Sequence, residues 1–207
     1  MKYFKDRFDA GEQLAKPLLK FKNQKSILLA VPRGGVEVAF PIAQKLGIPM
    51  SLIFAKKIGH PKNKEFAIGA ASLDNYFVLP NTEVADEYIQ SELLSIRARL
   101  KQMFELFLKG RKQPAVSGKI VVIIDDGIAT GNTLLSSVKL LKKQSPSKII
   151  IAVPISSRSA IDRLSSEVEE IVCLYTPEVF VGIGGFYDNF EQVSDDKVIE
   201  LLEKSSA

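Results

Sequence analysis

The residues best suited to chemistry are two adjacent carboxylates, Asp125 and Asp126, and the loop of small and hydroxyl-bearing residues at 127–133. Carboxylate oxygens accept hydrogen bonds from vicinal hydroxyls, such as those of a ribose, or approach a divalent metal through water. A loop that enters a helix presents unpaired N–H groups and the positive end of the helix dipole, which suits a phosphate monoester. Together these groups predict a site for ribose 5-phosphate.

The elements around this loop would hold its polar groups at one end of a sheet. Residues 120–124 form an apolar, mostly β-branched run that predicts a strand buried on both faces, as in a parallel sheet. After the loop, Leu134, Leu135, Val138 and Leu141 repeat at helical spacing. The carboxylates therefore lie at the carboxyl end of a strand, where open α/β sheets bind ligands.

Two other phosphate-binding motifs do not fit the spacing of this loop. A P-loop requires Gly-x4-Gly-Lys-Ser/Thr, whereas Gly127 and Gly131 are one residue too close and Asn132 stands where the lysine should be. A dinucleotide fingerprint requires Gly-x-Gly-x-x-Gly, which the loop does not contain. An ordinary strand-to-helix turn is the remaining alternative, and the whole arrangement at 120–133 makes it the less favoured one.

A second predicted strand, 26–31, also ends in a turn suited to an anion. Its turn, Pro-Arg-Gly-Gly at 32–35, precedes a helix predicted over 36–46. Glycine lets a ligand approach the backbone closely, and the guanidinium of Arg33 offers a fork of donors matched to phosphate oxygens. We therefore expect a second anion site here, with a plain turn and a surface arginine as the alternative.

Residues 56–80 predict a basic loop followed by a hairpin. Four lysines lie within residues 56–64, together with glycine and proline, a composition typical of a mobile loop. The runs 66–71 and 76–79 predict the two strands of the hairpin. A mobile lid of this kind could exclude water and supply charge beside a substrate, whereas solvated surface lysines are the plainer interpretation.

The hydrophobic periodicity of the other segments predicts helices and strands that alternate along the chain. A long helix is predicted to begin at Asn81 or Thr82, and another helix covers 158–164. Buried strands are predicted over 26–31, 48–55, 120–124, 149–153 and 170–174. Strands that alternate with helices favour parallel βαβ units, so we expect a five-stranded, mainly parallel sheet with helices on both faces.

Composition places the chain among ordinary globular proteins. It has 207 residues, 46% hydrophobic and 25% charged, which predicts a single domain with its own core. The net charge of +4 suits phosphorylated ligands or nucleic acid, but a lysine-rich solvated surface gives the same balance. The only histidine, His60, and the only cysteine, Cys173, give no basis for a zinc site. Without an apolar span or secretion signal, we expect a cytoplasmic protein.

The stretch 120–133 closely resembles the signature of the type I phosphoribosyltransferases, which is a hydrophobic strand, two acidic residues and a Thr-Gly-x-Thr loop. This resemblance implies their Rossmann-like fold, with a flexible hairpin lid and a small C-terminal hood. It also implies that Asp125 and Asp126 hold the ribose of phosphoribosyl pyrophosphate (PRPP). By the same resemblance, the 5-phosphate would be held by Ala129, Thr130, Gly131, Asn132 and Thr133.

The resemblance also covers the pyrophosphate end of PRPP. In the type I enzymes the loop after the first core strand binds this group, and Lys57 matches the basic residue that begins their flexible loop. The implied pyrophosphate contacts are Arg33, Gly34, Gly35 and Lys57. The implied cofactor is Mg²⁺, bound mainly through PRPP and water, with Asp125 and Asp126 as candidate contacts.

The tail is loosely similar to the base-binding hood of the hypoxanthine and xanthine phosphoribosyltransferases, and Phe180 and Val181 could match their purine-contacting Phe-Val pair. The turn at 31–35 is most similar to that of a bacterial branch of the superfamily whose acceptor is unassigned. Arg7 belongs to an opening segment that also resembles this branch, and for Arg7 a structural ion pair is at least as favoured as ligand contact.

The function implied is transfer of the 5-phosphoribosyl group of PRPP to a nitrogenous base, with a purine-like base favoured, and release of pyrophosphate. We expect a homodimer, with PRPP and a nucleobase as partners and no nucleic acid. The expected organisation is one domain, 1–207, with a core at 23–175, a lid at 56–80 and a hood from 1–22 and 175–207.

Two other functions can be drawn from the same residues. The first is a regulator that senses PRPP or a nucleotide without turnover, with its lysine-rich lid available to contact nucleic acid. The second is a receiver-like phosphoacceptor domain, which also places acidic residues at strand ends. The receiver-like domain explains neither the threonine-rich loop nor the Arg-Gly-Gly turn at 33–35.

Overall fold

The computed structural model describes residues 3–80 and 82–205, so the predicted cap Asn81 and the outermost hood residues, Met1, Lys2, Ser206 and Ala207, lie outside the described residues. The strands are β1 (Ser26–Ala30), β2 (Met50–Leu52), β3 (Ala55–His60), β4 (Asn63–Ser72), β5 (Tyr76–Val78), β6 (Ile120–Ile124), β7 (Lys148–Ile155) and β8 (Glu170–Tyr175). The helices are α1 (Arg7–Leu18), α2 (Gly34–Leu46), α3 (Asp86–Leu108), α4 (Asn132–Lys142), α5 (Arg158–Ser165) and α6 (Asp195–Ser205), with short 3-10 turns at Leu19–Phe21 and Ile183–Phe186.

The central sheet has five parallel strands in the order β2-β1-β6-β7-β8, which confirms the predicted architecture. Ala30 at the end of β1 is level with Ile124 at the end of β6, and Ile124 is level with Ala152 of β7. The connections leave β1 in one direction and β6 in the other, so the chain order reverses between these two neighbours. Ligands of open α/β sheets bind at such a reversal.

Alternate residues of each central strand pack on opposite faces of the sheet, as the period of two requires. In β6, Val122 and Ile124 pack with the helices α1, α2, α3 and α6 on one face. Val121 and Ile123 pack with α4 and α5 on the other face. The continuous apolar runs are therefore explained by burial on both sides, and the two apolar cores hold the carboxyl ends of β1 and β6 in place.

The basic segment predicted as a loop is instead part of a second sheet, so that prediction is wrong. β3, β4 and β5 form an antiparallel sheet in the order β3-β4-β5. Ile58 of β3 is buried opposite Gly69 of β4, and this pairing outweighs the local signal from lysine and glycine. Pro61 lies in the turn between the strands. The mobility of this hairpin lid stays a prediction.

Two helices begin at residues other than those predicted. The long helix α3 begins at Asp86, and Asp86 and Glu87 place negative charge in its first turn, where the helix dipole favours it. Helix α2 begins at Gly34, so the predicted anion turn forms the first turn of that helix.

Among residues 3–80 and 82–205, every helix is too short or too polar to traverse a bilayer.

The N-terminal arm and the C-terminal tail pack together at the end of the sheet. Phe4 forms a parallel bridge with Tyr187, and their rings lie 5.2 Å apart. Tyr3 stacks on Tyr175 at 4.3 Å, and Phe186 is buried in the same aromatic cluster. Because this cluster lies beyond the end of β7, it brings the tail next to the residues that follow β6.

Candidate active site

The turn after β1 and the acidic pair after β6 are in direct contact. The backbone of Val31 donates a hydrogen bond to the Ile124 carbonyl at 2.8 Å, which joins the two strand ends. A Cβ atom added at Gly34 would overlap the carboxylate of Asp126, and one added at Gly35 would lie 2.6 Å from the Ile124 carbonyl oxygen. Only glycine allows this approach, so the structure brings together the two turns that the sequence singled out.

Each carboxylate of the acidic pair has one oxygen bonded within the protein. Asp125 Oδ1 accepts from the backbone N–H of Asp126 at 2.9 Å, and Asp126 Oδ2 accepts from Arg7 Nε at 2.8 Å. Burial, and the neighbouring charge of Asp126, raise the pKa of Asp125 well above its ordinary value. Burial also raises the pKa of Asp126, although Arg7 opposes that effect. Hydroxyl donors or a cation at this site would stabilise the ionised pair.

The loop after the acidic pair is anchored to the end of β7. Ile128 donates a backbone hydrogen bond to the Ile155 carbonyl at 2.9 Å, and Ser157 donates one to the Ile128 carbonyl at 2.9 Å. The hydroxyl of Ser157 donates to the Ala129 carbonyl at 2.6 Å. Sequence reasoning missed Ser157, although its position before α5 is a recognisable helix cap. The loop conformation is therefore fixed by its neighbouring strand.

The predicted phosphate loop opens toward solution at the start of α4. Gly131 has a φ of +75°, a left-handed conformation that favours glycine, and within residues 82–205 no side chain caps the helix that follows. Ala129, Thr130 and Thr133 are exposed. The side chain of Asn132 accepts a hydrogen bond from Arg163. The first-turn N–H groups of α4 are consequently available to an anion.

Arg33 does not point into the space between the two turns. Its Nε donates to Asp195 Oδ1 at 2.6 Å and its Nη2 to Asp195 Oδ2 at 3.3 Å. This pair links the start of α2 to the first turn of α6, and both side chains are partly exposed. The Pro32–Arg33 peptide bond is cis. A phosphate ligand at Arg33 would have to compete with the carboxylate of Asp195.

Lys57 lies at the edge of a cleft of about 440 Å³ between the hairpin sheet, α3 and the end of the central sheet. Pro32 of the first turn and Thr133 of the loop line the same cleft. Its cationic lining residues are Lys56, Lys57, Lys64 and Arg99. The structure thus places Lys57 beside both predicted phosphate subsites, in a cleft whose charge suits a polyanion.

The C-terminal hood reaches the acidic pair through Tyr187 and Ile183 rather than through the predicted base contacts, Phe180 and Val181. The Tyr187 hydroxyl donates to the Asp126 carbonyl at 2.6 Å, and burial raises the pKa of this hydroxyl, so it stays protonated. A Cβ added at Gly127 would lie 2.7 Å from the Ile183 side chain. Phe180 packs on Phe186 at 5.6 Å, whereas Val181 is 73% exposed. In the sequence, the adjacent aromatic residues Phe186 and Tyr187 were the signal that could have indicated a contribution of Tyr187 to the site.

Comparison with known proteins identifies the class to which this fold and site belong. The phosphoribosyl transferase domain family matches residues 5–191, and the chain belongs to that family. This result confirms the resemblance to the type I phosphoribosyltransferases that was drawn from residues 120–133. The family assignment leaves the acceptor unspecified.

The chain is also similar to individual proteins of known sequence or structure. Rv0571c of Mycobacterium tuberculosis, whose name assigns it only provisionally as a phosphoribosyl transferase, is 37% identical over 211 residues. That match covers 99% of this chain and 47% of the relative, so the chain spans about half the relative's length. The crystal structure of TT1426 from Thermus thermophilus superposes with a TM-score of 0.90 at 33% identity, and 99% of each chain is covered. A ribose-phosphate pyrophosphokinase of Pyrococcus furiosus is 29% identical over 163 residues, 65% of this chain and 57% of that protein.

Proposed function

We propose that the protein transfers the 5-phosphoribosyl group of PRPP to a nitrogenous base, with a purine-like base favoured, and releases pyrophosphate. The observation that carries this proposal is the contact between Gly34 and Asp126, where a Cβ atom would overlap the carboxylate. The turn suited to the leaving group thereby meets the carboxylate suited to the ribose. Membership of the phosphoribosyl transferase domain family supports the same reaction class.

In this proposal the ribose and its 5-phosphate bind along the segment after β6. Asp125 and Asp126 would accept hydrogen bonds from the ribose hydroxyls, since each has a second oxygen outside its protein hydrogen bond. The 5-phosphate would bind the loop at Ala129, Thr130, Gly131, Asn132 and Thr133. Its charge would be stabilised by the first-turn amides of α4. These contacts would hold the anomeric carbon in one place relative to its leaving group.

The pyrophosphate would bind on the opposite side of the ribose, at the start of α2. Gly34 would present its backbone N–H group, and Gly35, whose own N–H donates to the Val31 carbonyl at 3.0 Å, would let the ligand approach the backbone closely. Lys57 would contribute charge from the cleft beside them. Arg33 would join this subsite after leaving Asp195. The nitrogen lone pair of the acceptor forms a bond to the anomeric carbon while the bond from that carbon to pyrophosphate oxygen breaks. The electron pair of the broken bond leaves with pyrophosphate, and the acceptor base releases one proton to water. Catalysis would then rest on positioning and on stabilisation of the leaving charge.

The residues of this site fit an Mg²⁺ ion that is held mainly by its ligand. Within residues 3–80 and 82–205 no group of three or more His, Cys, Asp or Glu side chains could hold a metal ion. Mg²⁺ commonly keeps several waters and binds one or two carboxylates together with substrate phosphates. We propose that Asp125 and Asp126 contact it directly or through water. When bound, Mg²⁺ would neutralise charge on the pyrophosphate.

The acceptor would bind under the hood. Phe180 and Val181 lie in the tail segment that reaches Asp126 through Tyr187, and they are our candidates for contact with a base. We also propose a cytoplasmic homodimer. Leu94 and Leu106 are exposed on α3, at 73% and 45%, so this helix is our candidate for the subunit interface.

A regulator that binds PRPP or a nucleotide without turnover is the second candidate. The Arg33–Asp195 pair favours it, because the guanidinium expected at the leaving group is bound to α6. In a regulator the same cleft would bind its ligand and no acceptor would be needed. Pyrophosphate release therefore separates the two candidates.

The test is to incubate the protein with PRPP, Mg²⁺ and a panel of purines and pyrimidines, and to detect nucleotide by mass spectrometry. Release of pyrophosphate with one base supports the enzyme, whereas PRPP binding without product supports the regulator. The double variant D125N/D126N should lose most of its PRPP affinity in calorimetry. D162N, an exposed change on α5, serves as the control. Wild-type affinity in the double variant would reject the ribose assignment.

A further inference from the structure

A second cavity lies beside α4, apart from the cleft that contains Lys57. It has a volume of about 350 Å³ and is enclosed by the hairpin strands β4 and β5 and by the helices α4 and α5. Cavities that bind small molecules in proteins usually measure about 300–1,000 Å³, so this one is large enough for a small ligand. The lining residues that matter for its chemistry are Phe66, Phe77, Leu79, Leu135, Lys139 and Arg163.

Helix α4 presents different residues to the two spaces. Thr133 and Ser137, which are one turn apart, line the cleft that contains Lys57. Positions 132, 135, 136 and 139 line the second cavity, and their spacing of three and four residues places them together on another face of the helix. The two spaces are therefore separate, although both lie between α4 and the hairpin sheet.

The lining of the second cavity combines aromatic rings with positive charge. The ring of Phe66 is 59% exposed, and Lys139 Nζ lies 5.8 Å from the centre of the Phe77 ring. Arg163 is exposed on α5 and donates one hydrogen bond to the side chain of Asn132. A guanidinium has five N–H donors, so others remain for an anion. Among the described residues that line this cavity, the charged ones are Lys139 and Arg163.

We propose that this cavity is an effector site for a planar aromatic molecule that carries an anionic group, either a phosphate or a carboxylate. The ring of the ligand would pack on Phe66 and Phe77, since aromatic pairs favour stacked or edge-to-face contact. Its anionic group would bind Lys139 and Arg163 through charge-assisted hydrogen bonds. A bare anion would leave the rings uncovered, and an uncharged ring would leave both cations without an acceptor from the ligand.

The position of the cavity explains how its ligand would act on the proposed PRPP site. Across the hairpin sheet, Lys57 is level with Ala70, and Ala70 is level with Phe77, so the cleft and the cavity are joined by three paired residues. On the helical side, Arg163 is bonded to Asn132, a residue of the proposed phosphate loop. A ligand in the cavity would thus restrain both the hairpin and the loop. This coupling rests on the proposed function, whereas ligand binding in the cavity does not.

The first experiment measures binding to the wild-type protein by calorimetry, with probes that contain no ribose. Naphthyl phosphate and naphthoate carry an anionic group on the same ring, and the tighter binder shows whether the site favours phosphate or carboxylate. Naphthol lacks the charge and acetate lacks the ring, so both should bind about tenfold or more weakly than naphthoate, as expected when a charged hydrogen bond or a ring contact is lost. Failure of both anionic probes to bind, or naphthol binding as tightly as they do, would overturn the inference.

Charge-removing variants show whether the probes bind in this cavity. K139Q/R163Q should weaken the better anionic probe by about tenfold or more. The matched control is K142Q/R158Q, which removes one exposed lysine of α4 and one exposed arginine of α5 outside the cavity lining, and it should bind like wild type. Should K139Q/R163Q fail to fold, R163Q alone decides, since its side chain is exposed. Equal probe affinity in the cavity variant and in the control would place the probe elsewhere and overturn the inference.

A second copy of the chain is the other candidate occupant of this face. F66S removes its exposed ring, and light scattering after gel filtration gives the mass of the particle. We expect the same mass for F66S and wild type, together with weaker probe binding in F66S. If F66S converted a dimer to monomers and wild type bound no probe, a subunit contact would explain the cavity and the inference would be wrong.

The last experiment tests the effector role by measuring PRPP affinity with Mg²⁺, with and without a saturating amount of the better probe. A restrained hairpin loses less conformational entropy when PRPP binds, so the probe should tighten PRPP binding about fivefold or more, and PRPP should tighten probe binding by the same factor. Without the probe, K139Q should bind PRPP like wild type. Equal PRPP affinity with and without bound probe would overturn the effector role. If wild type does not bind PRPP at all, the proposed function is wrong, whereas probe binding that is lost in K139Q/R163Q would still support the site.

Discussion

The guanidinium of Arg33 is bonded to the carboxylate of Asp195 through two hydrogen bonds, at 2.6 and 3.3 Å. Arg33 ends the turn after β1, and Asp195 begins α6, so the pair connects a proposed phosphate subsite to the C-terminal helix. Any phosphate group that binds Arg33 must replace a carboxylate that already satisfies the same donors. The pair therefore sets how strongly this subsite attracts an anion.

Replacing Asp195 with asparagine should strengthen the binding of pyrophosphate. An exposed ion pair is worth about 0.2–1 kcal/mol, so its removal should lower the dissociation constant by up to about fivefold. Calorimetry with Mg²⁺ and pyrophosphate measures this change. D196N is the matched control, because Asp196 is the neighbouring exposed acid of the same helix turn. Equal affinities in D195N and D196N would mean that Arg33 does not contact the ligand.

Replacing Ser157 with alanine should loosen the proposed phosphate loop. The Ser157 hydroxyl donates to the Ala129 carbonyl and accepts from the N–H of Ala160 at 3.1 Å, so the variant loses both a loop anchor and the cap of α5. Loss of a cap costs about 1 kcal/mol of unfolding free energy. Urea unfolding measures this loss, and calorimetry should show weaker PRPP binding. S165A, at the other end of α5, should retain wild-type PRPP affinity.

The parts of the site that the sequence predicted are local in the chain. The apolar strand at 120–124, the acidic pair and the loop to Thr133 occupy fourteen consecutive residues, so their order could be read from residue types and spacing alone. The glycine turn after β1 was found in the same way. Because both follow buried strands of a parallel sheet, their meeting at one edge was predictable from the fold.

The contacts that the sequence did not predict join residues distant in the chain. Arg7 is separated from Asp126 by 119 positions, and Tyr187 by 61. Local patterns carry no information about such pairings, since these depend on how the tail packs over the sheet. The predicted hairpin at 66–79 is confirmed by the antiparallel pairing of β4 with β5. The strand β3 was missed for a related reason, because Lys56 and Lys57 look like loop residues until their pairing with β4 is known.

Replacing Gly34 with alanine should damage binding more than it damages folding. The new Cβ would overlap the Asp126 carboxylate, so this side chain would have to move away from its position beside Arg7. Overpacking of this kind costs about 1–3 kcal/mol of stability. We expect PRPP affinity to fall more than tenfold in calorimetry, about the effect of a 1.4 kcal/mol loss in binding free energy.

The control for this variant lies at the other end of the same helix. Gly47 follows α2 with a φ of +66°, and a Cβ there would meet nothing within 4 Å among the described residues. G47A should therefore cost about 1–2 kcal/mol through backbone strain alone and leave PRPP affinity unchanged. If G34A and G47A affected binding equally, the contact between Gly34 and Asp126 would have no role in the site.

Replacing Asp125 with asparagine should stabilise the ligand-free protein at neutral pH. Burial and Asp126 raise the pKa of Asp125 in the folded state well above 3.8, its ordinary value. The folded state therefore binds the proton more tightly, and stability falls as pH rises from the unfolded pKa through the folded one. D125N has no carboxyl group to ionise at this position and does not lose stability in this way. Its melting temperature should therefore exceed that of wild type at pH 7 and depend less on pH. A melting temperature below that of wild type at pH 7 would show that the buried, ionised carboxylate of Asp125 does not destabilise the folded protein.

Removing the charge of Glu92 should loosen the polar contacts between the hairpin sheet and α3. Lys64 Nζ donates to Glu92 Oε1 and to the Tyr88 hydroxyl, both at 2.7 Å, and that hydroxyl donates to the Gly59 carbonyl at 2.7 Å. These bonds tie both strands of the β3–β4 hairpin to one helix. In E92Q, hydrogen exchange followed by mass spectrometry should show faster exchange in β3 and β4 than in wild type.

The surface variant E87Q, one and a half turns earlier in α3, should exchange like wild type, because Glu87 is exposed in the first turn of that helix. Bound PRPP and Mg²⁺ should slow exchange in the hairpin of wild type if this sheet is the lid proposed from its sequence. Lys57 lies on the same sheet, so a ligand that it contacts would restrain the strand directly. Exchange in β3 and β4 that responds neither to E92Q nor to PRPP would show that the hairpin is a fixed part of the fold rather than a lid.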